Sequence, residues 1–550
     1  MKTTLLTLAA LLLAPLSAYS ATGMQLWLEY VKAPDTHPNI PNCSYAGYHY
    51  GEVPVPFTTP ANAKGLVNVK DHGAKGDGVA DDTKAILAAI ASTPSPGSVY
   101  FPAGTYLIND IIRITRSHLV LFGDGSGKSI LYFKKSLTAV LGAYAFNHAP
   151  GENRWSNHGG MIWTEPKGAW NADGSYKYRD PGESGLDAGW IRKEKLADIT
   201  INAVRGQDKV TLHMANPAAG LPAGVLLMTW KNDANNTLLV HMGGHPQFKD
   251  YAWRTAPVLA ARDWDWMVEI KEVIAKNGAD WTVRLRQPLR IDIRPEWKVT
   301  LNRPGNDTSD PNADRYIEEV GIESLKIQMP VHATVKHMHY EGYSGPYYER
   351  AFNCWIRDVV AAEVDNGFCA GFAKCMTWKD TKVTASNQHH HAYYLRMQDH
   401  DCLVQGFQTD RQAREGLSIA KRSSGCAFSD GNMLESSFDS HLGMPFDVIR
   451  TTIILGKNNG KQSGPVYDGP RNGARVVHWN IPDNSGTGRI VYQPSTIPMG
   501  ALVGIQKSHL FTGNDPQMPH GGLGTIIADE NKLPAPVDLY EAQRALRLGK

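Results

Sequence analysis

The stretch Val67–Tyr106 limits the possible folds of this chain more than any other. Val67–Val69 reads as a short strand. Asp71-His72-Gly73-Ala74-Lys75-Gly76-Asp77-Gly78 follows as a turn cluster, because Gly supplies positive φ and Asp bonds its own backbone. Asp81-Asp82-Thr83 then opens a helix, with short acceptor side chains to cap its free amides. Ala85, Ile86, Ala89 and Ile90 fall at helical spacing, and Pro94-Ser95-Pro96-Gly97 stops the run. Short strands come next at Ser98–Phe101, Thr105–Ile108, Ile111–Ile114 and His118–Phe122, separated by Gly-rich turns.

Two motifs carry a resemblance. They are Asn68-Val69-Lys70-Asp71-His72-Gly73-Ala74-Lys75-Gly76-Asp77-Gly78-Val79-Ala80-Asp81-Asp82-Thr83 and Val99-Tyr100-Phe101-Pro102-Ala103-Gly104-Thr105-Tyr106. Together they resemble the N-terminal cap of the pectate-lyase-like superfamily (polysaccharide lyases and glycoside hydrolases), apart from His72, where Phe or Tyr is usual. The resemblance implies an all-β protein: a right-handed single-stranded parallel β-helix with an N-terminal capping helix. It implies a carbohydrate substrate and leaves the reaction open, since lyases, hydrolases, epimerases and phage tailspikes share the architecture. Gly127-Lys128-Ser129 is no phosphate loop, because Phe122 stands where that motif needs its first glycine.

The rest of the chain is organised around this start. Residues 1–20 read as a signal peptide: Lys2, the apolar run Leu5–Leu16, then Ala18-Tyr19-Ser20 before a cleavage point. The expectation is a secreted protein, extracellular or periplasmic. Residues 21–65 read as an irregular N-terminal strap, 66–150 as the start of the β-helix, and 151–300 as an inserted loop and small β-domain. Residues 301–535 read as the main coils and 536–550 as an amphipathic C-terminal helix with Leu539, Ala542, Ala545 and Leu546 on one face. Net charge is +2 with no basic tail, so nucleic acid is not an implied partner. The mature chain has no apolar run long enough to imply a membrane. Oligomeric state is left unassigned.

Cys354, Cys375, Cys402 and Cys426 stand 21, 27 and 24 residues apart, which fits one cysteine per coil. Period 2 then places Ile356, Thr377, Val404 and Phe428 on the same inward face. A ladder of buried thiols and a set of disulfides between neighbouring coils both fit this spacing.

Counting from those cysteines brings polar residues of four coils onto one strip. The candidate catalytic residues are Glu363, Asp365, His389, His390, Arg414, Asp439 and His441. The candidate substrate-binding residues are His339, Tyr343, Asn387, Tyr394, Arg396, Glu415 and Glu435. Two chemistries compete on the strip. Hydrolysis needs a carboxyl pair, which Glu363, Asp365, Glu415, Glu435 and Asp439 supply. β-Elimination of a uronic-acid polymer needs a base and a cation, which His389, His390, Tyr394 and Arg414 supply, and their density tilts the reading toward a lyase. Consecutive residues of an extended chain point opposite ways, so His389-His390-His391 cannot all ligate one metal. No metal ligands are assigned. Calcium stays an open option for an acidic substrate, without an oxygen-ligand loop to hold it. The dense patch from His337 to Arg350 fits either a loop over the groove or plain packing. A non-enzymatic carbohydrate-binding β-helix is the remaining alternative.

Overall fold

The structure, a computed structural model, describes residues 22–145, 150–176, 193–249, 263–305, 315–410, 413–436, 438–441, 443–456, 471–484, 496–506 and 524–550. The signal segment 1–20 lies outside them.

Short strands with alternating burial wind the chain into a parallel β-helix. The first sheet stacks, among others, Gly97–Phe101, Leu119–Gly123, Val320–Gln328, Trp355–Ala362, Leu403–Thr409, Ala427–Met433 and Val448–Leu455, with all neighbours parallel. The second sheet stacks Ile112–Ile114, Ile162–Thr164, Pro346–Glu349, Asn366–Gly371, His389–Leu395, Ala413–Ile419 and Phe438–Ser440. A third, narrow face is built from single bridges, Phe352 to Lys374 to His400 to Ser424 to Phe446. Val99, Leu121, Ile322, Ile356, Val404 and Phe428 fill the interior. The helix Thr83–Ser92 closes the first coil by adding Ile86, Ala89 and Ile90 to that core. Asp82 does not cap this helix. Its carboxylate instead accepts from the amides of Lys75 (2.6 Å) and Gly76 (3.0 Å), tying the Gly-Asp turn to the cap.

The cysteine register is off by one at Cys375. Trp355 pairs with Thr377 and Thr377 with Leu403, so Cys354 stacks on Met376, and Met376 on Cys402. Trp378, not Thr377, shares the inward row with Ile356, Val404 and Phe428. Asn353, Cys375, Asp401, Gly425 and Asp447 each follow a third-face residue, and all have positive φ. Cys375 thus takes a corner place that Asn, Asp or Gly holds in neighbouring coils, and it faces outward against Tyr50 and Phe352. All six cysteines are free and buried. Reductant is therefore expected to leave the thermal unfolding midpoint unchanged; a drop of several degrees on adding dithiothreitol would show a disulfide.

Between Thr164 and Ile317 the described residues leave the coil. Strands from Lys193–Asp198 to Thr300–Pro304 form a separate seven-stranded antiparallel sheet with its own core around Trp230, Trp264, Trp266 and Trp297. Ile162–Thr164, read from sequence as part of the insertion, is a coil strand. Its Trp163, like Trp155 before it, packs in the main core rather than in a loop.

The strap is more regular than expected. Thr22 and Gln25 form a capping box that starts the helix Gly23–Lys32, and Leu26 and Tyr30 bury one face of it. Leu26, Tyr30, Ile40, Cys43 and Ala46 then cover the outside of the first sheet at Leu403, Ala427, Ile449, Val477 and Ala501. The C-terminal helix Leu539–Leu548 locks the strap down. Its buried side chains are Leu539, Tyr540 and Gln543, the last accepting from the Cys43 amide and donating to the Pro41 carbonyl, while Leu546 is exposed. Among the described residues, no helix is long and apolar enough to cross a membrane.

Candidate active site

The outer face of the second sheet carries the chemistry-bearing residues in rows set by strand register. One row runs Asn366, His391, Glu415, and a second runs Tyr347, Cys369, Tyr394, Ser418, Asp439. These rows, with His390 and His441, form a cluster roofed by residues 329–345 and by Ser156.

The His triplet enters the cluster through a bulge. The amides of His390 and His391 both donate to the Asp365 carbonyl, at 2.8 and 3.3 Å. Two residues then oppose one, alternation breaks, and the His390 and His391 rings lie 3.9 Å apart. Each ring is fixed. His390 Nδ1 lies 2.6 Å from the Ser156 carbonyl, and Tyr340 stacks on its ring at 4.8 Å. His391 Nδ1 lies 2.9 Å from Asn366 Oδ1. The Asn366 amide donates to Ser156 O and Ser344 Oγ, so Oδ1 is the end that accepts. Tyr394 stacks on the other side of His391, at 4.1 Å.

Asp439 and His441 form the second half. His441 Nδ1 is 2.9 Å from Asp439 Oδ2, which also accepts from the Ser418 hydroxyl at 3.1 Å. Burial opposes charging of His441, but the charge and hydrogen bond of Asp439, helped by Glu415, outweigh it and raise the imidazole pKa. Burial also keeps the Tyr394 phenol protonated; Arg396 opposes this, while Asp439 and Glu415 add to it. The His391, Asp439 and His441 donor atoms lie within 4.8 Å of one another, as do those of His337, His390 and Glu415. Access differs within each pair: the Asp439 side chain is 2% exposed and His441 24%; Glu415 is 1% exposed and Arg414, 3.8 Å from it, 42%.

Six of the sequence candidates therefore meet here: His390, Tyr394, Arg414, Glu415, Asp439 and His441. The others stand elsewhere. Glu363 accepts from the amide and hydroxyl of Ser386, fastening a corner of the coil. Asp365 is buried and spends its carboxylate on His332 Nε2 (2.8 Å) and the amides of Gly342 and Tyr343. It holds the roof instead of facing a substrate. His332 donates from Nδ1 to the Pro330 carbonyl, and Asp365 outweighs burial to raise its pKa. Tyr343 stacks on His332, and Asn387 donates to the His332 carbonyl. His389 is buried outside both donor groups, with its pKa pushed down to about 4 by burial and by His332. His339 packs on Gly151 at the edge of the roof. Glu435 lies in the turn after Ala427–Met433.

Arg396 belongs to an adjoining buried network. It pairs with Glu349 at 3.0 Å, Tyr347 donates to the same carboxylate, and Arg350 pairs with Glu165 at 3.1 Å. Burial lifts Glu165 to about 8 against the pull of Arg350. A Cβ at Gly371 would sit 2.7 Å from Glu349 Oε2 and 3.1 Å from Arg396 Nη2, so a side chain there would displace this pair.

Sequence reasoning missed His337, Tyr340 and His391. The first two belong to the dense patch before the cysteine coils. The third was discounted on period 2, which the bulge cancels.

Comparison with known proteins gives a family match over residues 66–226, to the model described as rhamnogalacturonase A/epimerase, pectate lyase-like. A glucan 1,3-beta-glucosidase of Cochliobolus carbonum is 38% identical over 119 residues, covering 19% of this chain and 15% of that protein. Alginate lyase 7 of Azotobacter vinelandii is 34% identical over 134 residues, covering 22% of this chain and 15% of that protein. The chain thus matches under a fifth of the length of either relative. Among solved structures, the tailspike gp61 of Pseudomonas phage phi297 aligns with a TM-score of 0.46 at 13% identity, over 80% of this chain and 63% of that one.

Proposed function

We propose that this chain, which belongs to the pectate-lyase-like superfamily, is an exported polysaccharide-degrading enzyme that cleaves an acidic, uronic-acid-containing glycan by β-elimination. One observation carries the choice of chemistry: the carboxylates lie at the back of the cluster and the nitrogen groups at the front. Asp439 and Glu415 are buried, while His441 and Arg414 reach the surface. Hydrolysis asks for two carboxyls that face the scissile bond. Elimination asks for a base at C5 and a positive group on the neighbouring carboxylate, and those are the groups presented.

In this reading Asp439 fixes the His441 ring by accepting from Nδ1–H, which leaves Nε2 to take the C5 proton. Arg414 neutralises the uronate carboxylate and so acidifies that proton. The C5–H electrons form the C4–C5 double bond as the C4–O bond breaks. The departing oxygen takes its proton from water, since Tyr394 is buried and backs the His391 ring. Asn366 and Ser156 act only through the rings they hold.

The likeness to an alginate lyase supports elimination, and the likeness to a glucan 1,3-beta-glucosidase supports hydrolysis. Digestion of alginate and polygalacturonate, followed by ultraviolet absorbance and by reducing ends, decides between them. Both signals are expected to rise together, because the new double bond is conjugated with the carboxylate. Reducing ends without absorbance would mean hydrolysis. Silence in both, with retained glycan binding, would mean a binding protein.

A further inference from the structure

We propose that His337, His390 and Glu415 form a binding site for a divalent transition metal, and that zinc is the ion their donors suit. The three residues come from separate elements: the roof 329–345 and the strands His389–Leu395 and Ala413–Ile419 of adjacent coils. Their donor atoms nevertheless converge within 4.8 Å of one another. Two imidazole nitrogens and one carboxylate oxygen match zinc and its neighbours, whereas calcium takes six to eight oxygens.

The surroundings of His390 are those of a metal-ligating histidine. The Ser156 carbonyl can only accept, so the hydrogen bond of 2.6 Å places the ring proton on Nδ1. Nε2 then holds the lone pair a metal needs. An outward Nδ1–H···O=C bond is the usual way a metal-binding ring is held in one tautomer and one orientation. Tyr340, stacked on the ring with planes 9° apart, fixes the plane, and His337 meets the ring edge-on at 5.1 Å. In the neighbouring trio His391, Asp439 and His441, Asp439 accepts hydrogen bonds from His441 Nδ1–H and the Ser418 hydroxyl, which assigns it to holding the His441 ring.

Three protein ligands leave the fourth tetrahedral position open, the pattern of a reactive zinc site rather than a structural one. The His390 ring lies 3.9 Å from that of His391, whose ring in turn lies 6.0 Å from that of the proposed base His441, so the metal would stand on the same face as the base, with the His391 ring between them. Its open position would then take the uronate carboxylate beside Arg414. That role rests on the elimination reading; the site itself does not.

The test is zinc titration of the full chain by calorimetry after chelator treatment, with cobalt(II) absorption as a second readout. One zinc per chain is expected, with a cobalt spectrum of low coordination number. H390A and E415Q are expected to weaken binding by more than ~100-fold, since each removes a ligand where outer partners alone give ~10–100-fold. H337A, on the half-buried roof, tests the same site without cutting into the sheet. D439N is expected to keep the zinc. Failure to bind one zinc per chain, or equal binding by wild type, H337A, H390A and E415Q, would overturn the site. Zinc binding lost in those variants alongside no ultraviolet signal on any uronate polymer would support the site and overturn the elimination reading alone.

Discussion

H441A is expected to lower kcat/KM on a uronate polymer by ~10²–10⁴-fold, the usual worth of a positioned general base. Glycan binding and the unfolding midpoint should change little, because the ring lies at the mouth of the cluster, 24% exposed. The pH profile adds a sharper check. A base must be neutral, so activity should rise with pH through the pKa of His441. Asp439 and Glu415 raise that pKa against the effect of burial, which places the rising limb above the ordinary histidine value of about 6.5. D439N removes the negative charge that favours the imidazolium. Its limb should move to lower pH, on a lower plateau because the ring exchanges a charged acceptor for a neutral amide that can also turn its NH2 toward it. A limb that stays in place in D439N would remove His441 from the base role, as would an H441A enzyme with wild-type kcat/KM.

Parts of this site were legible in the sequence, and parts could not be. The cap motif Val67–Tyr106 reports its fold because each step is local: turn glycines, apolar helical spacing and short strands. Asp439, His441 and Glu415 were reachable too, because coil periodicity brings their strands to one face. His391 was not. Its orientation depends on one carbonyl, Asp365 O, accepting two amides, a long-range event that leaves no period in the sequence. Cys375 fails for a related reason. Counting from cysteine to cysteine assumes equal places in successive coils, while Cys375 occupies the left-handed corner that Asn353 and Asp401 occupy beside it. A count anchored on Asn353, Asp401, Gly425 and Asp447 keeps the register in the other coils, but the coil between Asn353 and Asp401 offers no such anchor because Cys375 holds the corner. Asp365 shows the limit for function. A carboxylate at a catalytic offset is indistinguishable by sequence from one that holds a loop, until its three partners are seen.

The second large effect lies away from the cluster, where coil, insertion and strap meet. Lys374 sits on the third face and Asp401 at the corner after His400, and both are fully buried. Lys374 donates to Asp401 at 2.5 Å and to Gln287 of the insertion at 2.6 Å, and it lies over the rings of Tyr50 and Trp266. Arg290 of the insertion pairs with the same Asp401, and Arg475 and Arg290 flank Asp447 one step along. Burial pushes Asp401 up, but Arg290 and Lys374 more than reverse it, so its carboxylate is held below the usual range. Such a group stabilises the fold above its unfolded pKa, and that contribution fades as pH falls through the folded value. K374M leaves Asp401 short of one cation and Gln287 short of its donor, in a place water does not reach. Breaking a buried pair in this way costs about 3–5 kcal/mol, and the surviving Arg290 pair puts the expected loss near the lower end. The loss should appear in urea unfolding. It should be accompanied by faster hydrogen exchange in Trp264–Val268 and in the strap around Tyr50, the two elements that Lys374 ties to the coil. D401N should cost at least as much, since it strands two cations. An unfolding midpoint within experimental error of wild type for K374M would show that the insertion docks through its apolar contacts alone, with Trp264 against Phe446 as the joint.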